Sequence, residues 1–190
     1  MCENFPVASY HHGNLRAALI DTSLKLIEEK GVRALTLREI GTRAGVSRTA
    51  AYRHFTNKAD LLAAISEAGF KEFGDALEAA RQQAIDSPLE AMAVAYVRFA
   101  SQHSAHYEVM FEDSSVPGGE YAVRAFNILE ETVRQGQKAG QIRPGDSIQL
   151  ARLLWSLVHG ISTLRLDPDP TNFTIFCAEV LRTGLANHSA

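Results

Sequence analysis

The sequence predicts an all-α protein: an N-terminal three-helix bundle with a helix-turn-helix, then a longer C-terminal helical region, about nine helices in all. Three observations carry this. Apolar residues recur at three- and four-residue spacing in one segment after another. Helix start and stop signals punctuate the chain, with Thr36, Ser47, Asn57, Ser87 and Asp146 as caps and Gly31, Gly45 and Gly140 as stops. No stretch alternates as a strand does, and there is no Asn-Gly hairpin or internal repeat.

Residues Met1 to Ser9 lack periodicity, contain Pro6 and are expected to form a loose tail. Asn14 is placed to cap the first helix, which runs to Lys30. Leu15, Ala18, Leu19, Leu26 and Ile27 form its apolar stripe. Thr36 and Glu39 have capping-box spacing, so the second helix should start at Leu37, with Leu37, Ile40 and Ala44 facing inward. Gly45 sits where that helix must stop and the chain turn sharply, Val46 plugs the angle, and Ser47 caps the next helix.

That third helix, about Arg48 to Phe55, is too short to stand alone. Ala51 and Phe55 make its buried side, while Arg48, Thr49, Tyr52, Arg53 and His54 gather hydrogen-bond donors on the other. A helical hairpin with a solvated basic face is the plain reading. The donor cluster favours a helix that enters the major groove of DNA, its N-terminal residues toward base edges. His11, His12 and Arg16 either form a polar loop or reach phosphates and the minor groove as an arm.

Asn57 caps a longer fourth helix extending to about Ala84, with Asp60 near its positive end and Lys58 in the first turn, where a phosphate would supply the missing anion. This helix leaves the head and enters the body, dividing the chain into residues 1–57 and 58–190. Ser87, Pro88 and Glu90 start a fifth helix. A short sixth follows through Tyr107, Met110 and Phe111, ending near Asp113. The seventh runs from about Glu120 to Ala139, after Pro117-Gly118-Gly119 breaks the chain. Asp146 caps an eighth helix, and the ninth spans roughly Asn172 to Ala186.

Residues Tyr10 to Leu62 resemble the DNA-binding domain of TetR-family transcriptional regulators, through the motif AGVSRTAAYRHFTNKADLL. The opening YHHGNLRAALI and the later WSLVHG are similar to the branch named for a Trp-His-Gly signature in its C-terminal region. Gly41 stands where that family usually has alanine. The resemblance implies Arg48, Thr49 and Arg53 as base readers, with Thr36, Ser47, Tyr52, His54 and Lys58 as phosphate clamps. It also implies a bacterial homodimer on a double-stranded DNA operator, usually as a repressor.

Charge distribution agrees with that division. Residues 1–60 hold 9 Lys/Arg against 6 Asp/Glu, net +3, while the remaining 130 hold 10 against 16, net −6. A basic head on an acidic body suits a DNA-binding module attached to a regulatory one. Cys2 and Cys177 are too few for a disulfide framework, and no apolar run approaches membrane-spanning length, so a cytoplasmic setting is expected.

In the eighth helix Leu150, Leu153, Leu157 and Ile161 belong to an apolar set that goes nearly round the wheel. One side is expected to face the chain's own core and the other a second copy, joined by Phe173, Phe176 and Val180 of the ninth helix. The alternative is a central core helix in a monomer. Phe70, Phe73, Tyr96, Phe99, His103, Tyr107, Met110, Phe126 and Trp155 are candidate walls of a cavity for an unknown small-molecule effector, or else plain core. His159, one turn after Trp155, reads as a structural histidine. His103, His106 and Glu108 do not form a recognised metal-ligand spacing, so no metal or cofactor is expected. The chain has no nucleophile motif and no phosphate-binding glycine loop, which argues against an enzyme. A regulator signalling through a protein partner, or without an effector, stays open.

Overall fold

The computed structural model describes residues 15–84, 86–111 and 119–164, together with the single residues 172 and 175. Eight α-helices are defined: α1 (Leu15–Lys30), α2 (Leu37–Arg43), α3 (Arg48–His54), α4 (Lys58–Gln83), α5 (Pro88–Gln102), α6 (Ser104–Phe111), α7 (Gly119–Lys138) and α8 (Ser147–Leu164), with a 3-10 turn at Val32–Ala34. No strand occurs among the described residues. The expected ninth helix, the tail and the Asn14 cap lie outside them, save that Asn172 and Ile175 are helical. None of these helices is long and apolar enough to cross a membrane. Two compact units divide the chain, residues 1–61 and 62–190.

In the first unit, Leu19, Leu26, Ile27, Leu35, Leu37, Ile40, Ala51 and Phe55 are buried and make one small core. Thr36 caps α2, its Oγ1 accepting from the Glu39 amide at 3.2 Å. The end of α2 is a Schellman turn: Val46 N–H donates to the Gly41 carbonyl at 2.9 Å and Gly45 N–H to that of Thr42 at 3.2 Å. Gly45 takes the left-handed φ of 69° this closure requires. Ser47 then caps α3, its Oγ accepting from the Ala50 amide at 3.2 Å.

Gly41 is buried where α2 and α3 touch, and a Cβ added there would meet the Ala51 Cβ at 3.4 Å, an ordinary contact. The departure at this position therefore reflects no lack of room.

In the second unit, α5, α6, α7 and α8 pack around the part of α4 beyond Leu61. Asn57 caps α4 through its Oδ1 to the Asp60 amide, and Asp60 returns a bond to the Thr56 amide, both at 2.9 Å. Ser87 occupies the cap position of α5 but forms no cap hydrogen bond. Its ψ of 65° is not the extended conformation that aims a cap oxygen at the first turn, and Pro88 opens the helix instead. A second Schellman turn at Gly140 ends α7. Asp146 caps α8 through Oδ1 to the amides of Ile148 and Gln149, at 2.9 and 3.2 Å.

Because glycine in a helix interior costs roughly 0.5–1 kcal/mol relative to alanine, Gly41→Ala should stabilise the protein by about that much. Denaturant unfolding of the two chains checks it, and a loss of stability would mean the Ala51 contact is tighter than 3.4 Å implies.

Candidate nucleic-acid interface

Helix α3 has two unlike sides. Ala51 and Phe55 are fully buried, and they fix the helix so that Arg48, Thr49, Tyr52, Arg53 and His54 are all exposed. Neither Arg48 nor Arg53 forms an ion pair with a carboxylate among the described residues, whereas Arg43 is bound through both terminal nitrogens to Glu29. The Arg48 guanidinium lies over the Tyr52 ring, 5.3 Å from its centroid, a contact that orients it at little entropic cost. Arg16 lies similarly over Phe55 at 5.2 Å. Thr36 and Ser47 are exposed, and each spends a lone pair on its cap while keeping a hydroxyl proton to donate. Six of the eight expected DNA contacts thus fall on α3 or its cap, with Thr36 at the start of α2 and Lys58 at the start of α4.

Lys58 has a structural task that spacing alone did not reveal. Its half-buried side chain donates to the carbonyls of Val32 and Arg33 at 2.7 and 3.1 Å, tying the start of α4 to the 3-10 turn. These partners lie 26 and 25 residues away in sequence. An ammonium has three N–H groups, so one donor is left for an anion.

In the body, the expected cavity walls converge on one aromatic cluster. Phe73 is wholly buried and meets Tyr96, Phe99, Phe111 and Trp155 edge-to-face, with centroids 4.9–6.5 Å apart. Phe70, Tyr107 and Met110 are buried in the same cluster, with Phe126 and Trp155 partly buried against it. His103 stands apart at the rim, stacked on Phe99 at 4.6 Å. Phe111 belongs to the cluster although the sequence reading placed it only within a helix. A shallow groove of ≈ 370 Å³ is lined by Glu78, Arg81, Arg124 and Glu131 among others, and it shares no residue with those expected walls.

The polar element of the cluster is His159. Its Nδ1 lies 2.9 Å from the hydroxyls of both Tyr96 and Tyr107, which are 3.5 Å from each other. A ring nitrogen offers one lone pair or one N–H, so the two tyrosines share it; Tyr107 also reaches Thr163 Oγ1 at 3.5 Å. Burial lowers the His159 pKa below its usual 6.5. Burial, reinforced by Tyr107, raises that of Tyr96 far above the usual phenol range. Burial thus favours the uncharged forms of Tyr96 and His159.

Two residues expected at a copy–copy contact require correction. Leu150 and Ile161 are each only 4% exposed and fill the chain's own core, because they share the side of α8 that carries Ala151 and Leu154. Leu153 is half exposed and Leu157 half buried; with Gly160 and Leu164 they form an outward stripe at four-, three- and four-residue spacing. Phe173, Phe176 and Val180 lie outside the described residues.

Two predictions follow from these contacts. Lys58→Ala leaves two carbonyls short of a charged donor and should cost about 1–3 kcal/mol in denaturant unfolding; unchanged stability would show that water replaces the ammonium. For His159, the folded pKa lies below the unfolded value, so its contribution is complete above about pH 6.5 and is lost as pH falls through the folded pKa. His159→Asn, whose amide oxygen can accept a tyrosine proton, should flatten the stability loss between about pH 7 and 5. An identical pH profile in the variant would assign that loss to other groups.

Residues 19–65 match the family described as bacterial regulatory proteins, tetR family, and residues 89–174 match the tetracyclin repressor-like C-terminal domain. Over 53 residues the chain is 45% identical to the tetracycline repressor protein class C of Escherichia coli, covering 28% of this chain and 24% of that protein. The chain matches about a quarter of the length of such curated relatives. A solved protein of unknown function from Rhodococcus sp. RHA1 superposes with a TM-score of 0.83 at 32% identity, covering 95% of this chain and 100% of that one. SmeT, the repressor of the Stenotrophomonas maltophilia multidrug efflux pump SmeDEF, shares the fold with a TM-score of 0.70 at 24% identity, covering 92% and 91%; it is also known as a complex with triclosan. The curated relatives are regulators rather than enzymes. With a helix-turn-helix at one end, a repressor-like helical body at the other, and matches to both, this chain belongs to the TetR family of bacterial regulatory proteins.

Proposed function

We propose that this chain is a ligand-responsive transcriptional repressor that binds a palindromic operator in double-stranded DNA as a homodimer in the cytoplasm. The observation that carries the reading is α3, buried through Ala51 and Phe55 and presenting five exposed donor-bearing side chains without carboxylate partners among the described residues. Arg48, Thr49 and Arg53 read base edges, arginine favouring the O6 and N7 acceptors of guanine. Thr36, Ser47, Tyr52, His54 and the remaining donor of Lys58 hold phosphates and set the register.

Two such helices must stand about 34–36 Å apart, one turn of the duplex, to read both half-sites. The outward stripe of Leu153, Leu157, Gly160 and Leu164 supports pairing of two copies through α8. In the body, the aromatic cluster with its Tyr96–Tyr107–His159 knot has the makeup of an effector site: apolar side chains and a few convergent polar groups. The triclosan complex of SmeT supports an apolar small molecule in a body of this fold. An effector preferring another setting of α4 would release DNA, and about 1–3 kcal/mol of differential affinity is enough.

Selection of bound sequences from random DNA tests the reading. The wild-type chain should enrich an inverted repeat. Arg48→Ala should lose preference at one base position per half-site, at a cost of about 1–3 kcal/mol, while Lys58→Ala should weaken all sequences alike and lower the salt slope by about 1. Absence of any enriched duplex at low ionic strength would overturn the proposal.

A further inference from the structure

We propose that Glu72, His103 and His106 form a binding site for a zinc-class divalent transition-metal ion. Each offers one ligand atom, and the three atoms lie within 4.8 Å of one another. They come from three places in the second unit: Glu72 from α4, His103 from the residue that caps the end of α5, and His106 from the first turn of α6. The Glu72 Oε2 to His103 Nδ1 distance is 4.0 Å, within reach of a shared ion after a small side-chain rotation.

The surroundings hold this corner together. The His103 ring stacks on Phe99 with 19° between planes, so its orientation is set by the core beneath it. Gly69, one turn before Glu72 on α4, allows α6 to come close. A Cβ at Gly69 would lie 3.2 Å from His106 Cδ2 and 2.6 Å from Met110 Sδ. The close approach that a side chain at position 69 would block is the one that brings His106 beside Glu72.

The donor set decides the class of ion. Two imidazoles and one carboxylate suit Zn²⁺, Co²⁺ or Ni²⁺, whereas Mg²⁺ and Ca²⁺ prefer oxygen throughout. Three protein ligands leave a fourth tetrahedral position for water or an exogenous group. Glu72 and His103 are roughly half exposed, so an ion can enter from solvent. The site shares no residue with α3, and its existence does not depend on DNA binding.

Titration of the purified full-length chain with Co²⁺, followed by displacement with Zn²⁺ against a chelator of known affinity, tests the site. One equivalent per chain should produce the intense visible bands of a four- or five-coordinate ion. His103→Ala and His106→Ala should each weaken Zn²⁺ by at least about tenfold, the amount that loss of an outer-shell partner alone can cost. Glu72→Gln preserves the shape of an exposed side chain and should also weaken it, which keeps the test decisive if a histidine variant fails to fold. Wild-type affinity and spectrum in the variants, or no bands in the wild type, would overturn the proposal.

Discussion

The placement of α3 depends on how α2 ends. Gly45 closes the Schellman turn, and the small side chain of Ala51, which a Cβ at position 41 would meet in ordinary contact, lets the two helices pack closely. Because α3 has only seven residues, it has little helical stability of its own and takes its orientation from this contact and from Phe55. The exposure of Arg48, Thr49 and Arg53 is thus a consequence of burial on the opposite side. A larger residue at 51 would move every donor on the outer face.

The same logic operates at the start of α4. Lys58 donates to two carbonyls of the 3-10 turn, that of Val32 also accepting from the Leu35 amide, while Asn57 and Asp60 close the first turn of α4 reciprocally. A cation at a helix N-terminus is unfavourable in isolation, and the turn carbonyls offset that by accepting its protons. The residue is structural, and two bonds to these carbonyls leave the third N–H of its ammonium to spare.

In the body, Phe73 organises an edge-to-face cluster whose polar centre is a histidine shared by two tyrosines. Buried polar groups of this kind hold their geometry only when each finds a partner. Here Tyr96 on α5, Tyr107 on α6 and His159 on α8 supply one another, which ties three helices at one point.

The sequence alone determined the all-α class, the helix-turn-helix and most helix ends, because those features depend on neighbours a few residues apart: Thr36 with Glu39, Ser47 with Ala50, Asp146 with Ile148. It also separated the outer from the inner side of α3, since Ala51 and Phe55 are one turn apart. Periodicity around α8 could not separate its two sides, since apolar residues cover both; only packing showed Leu150 and Ile161 turned inward and Leu153 outward. Likewise the acceptors of Lys58, the tyrosines of His159 and the carboxylate beside His103 come from distant segments. Such partners are chosen by where helices cross, and helix crossing is set by the whole core, so tertiary structure alone decided them.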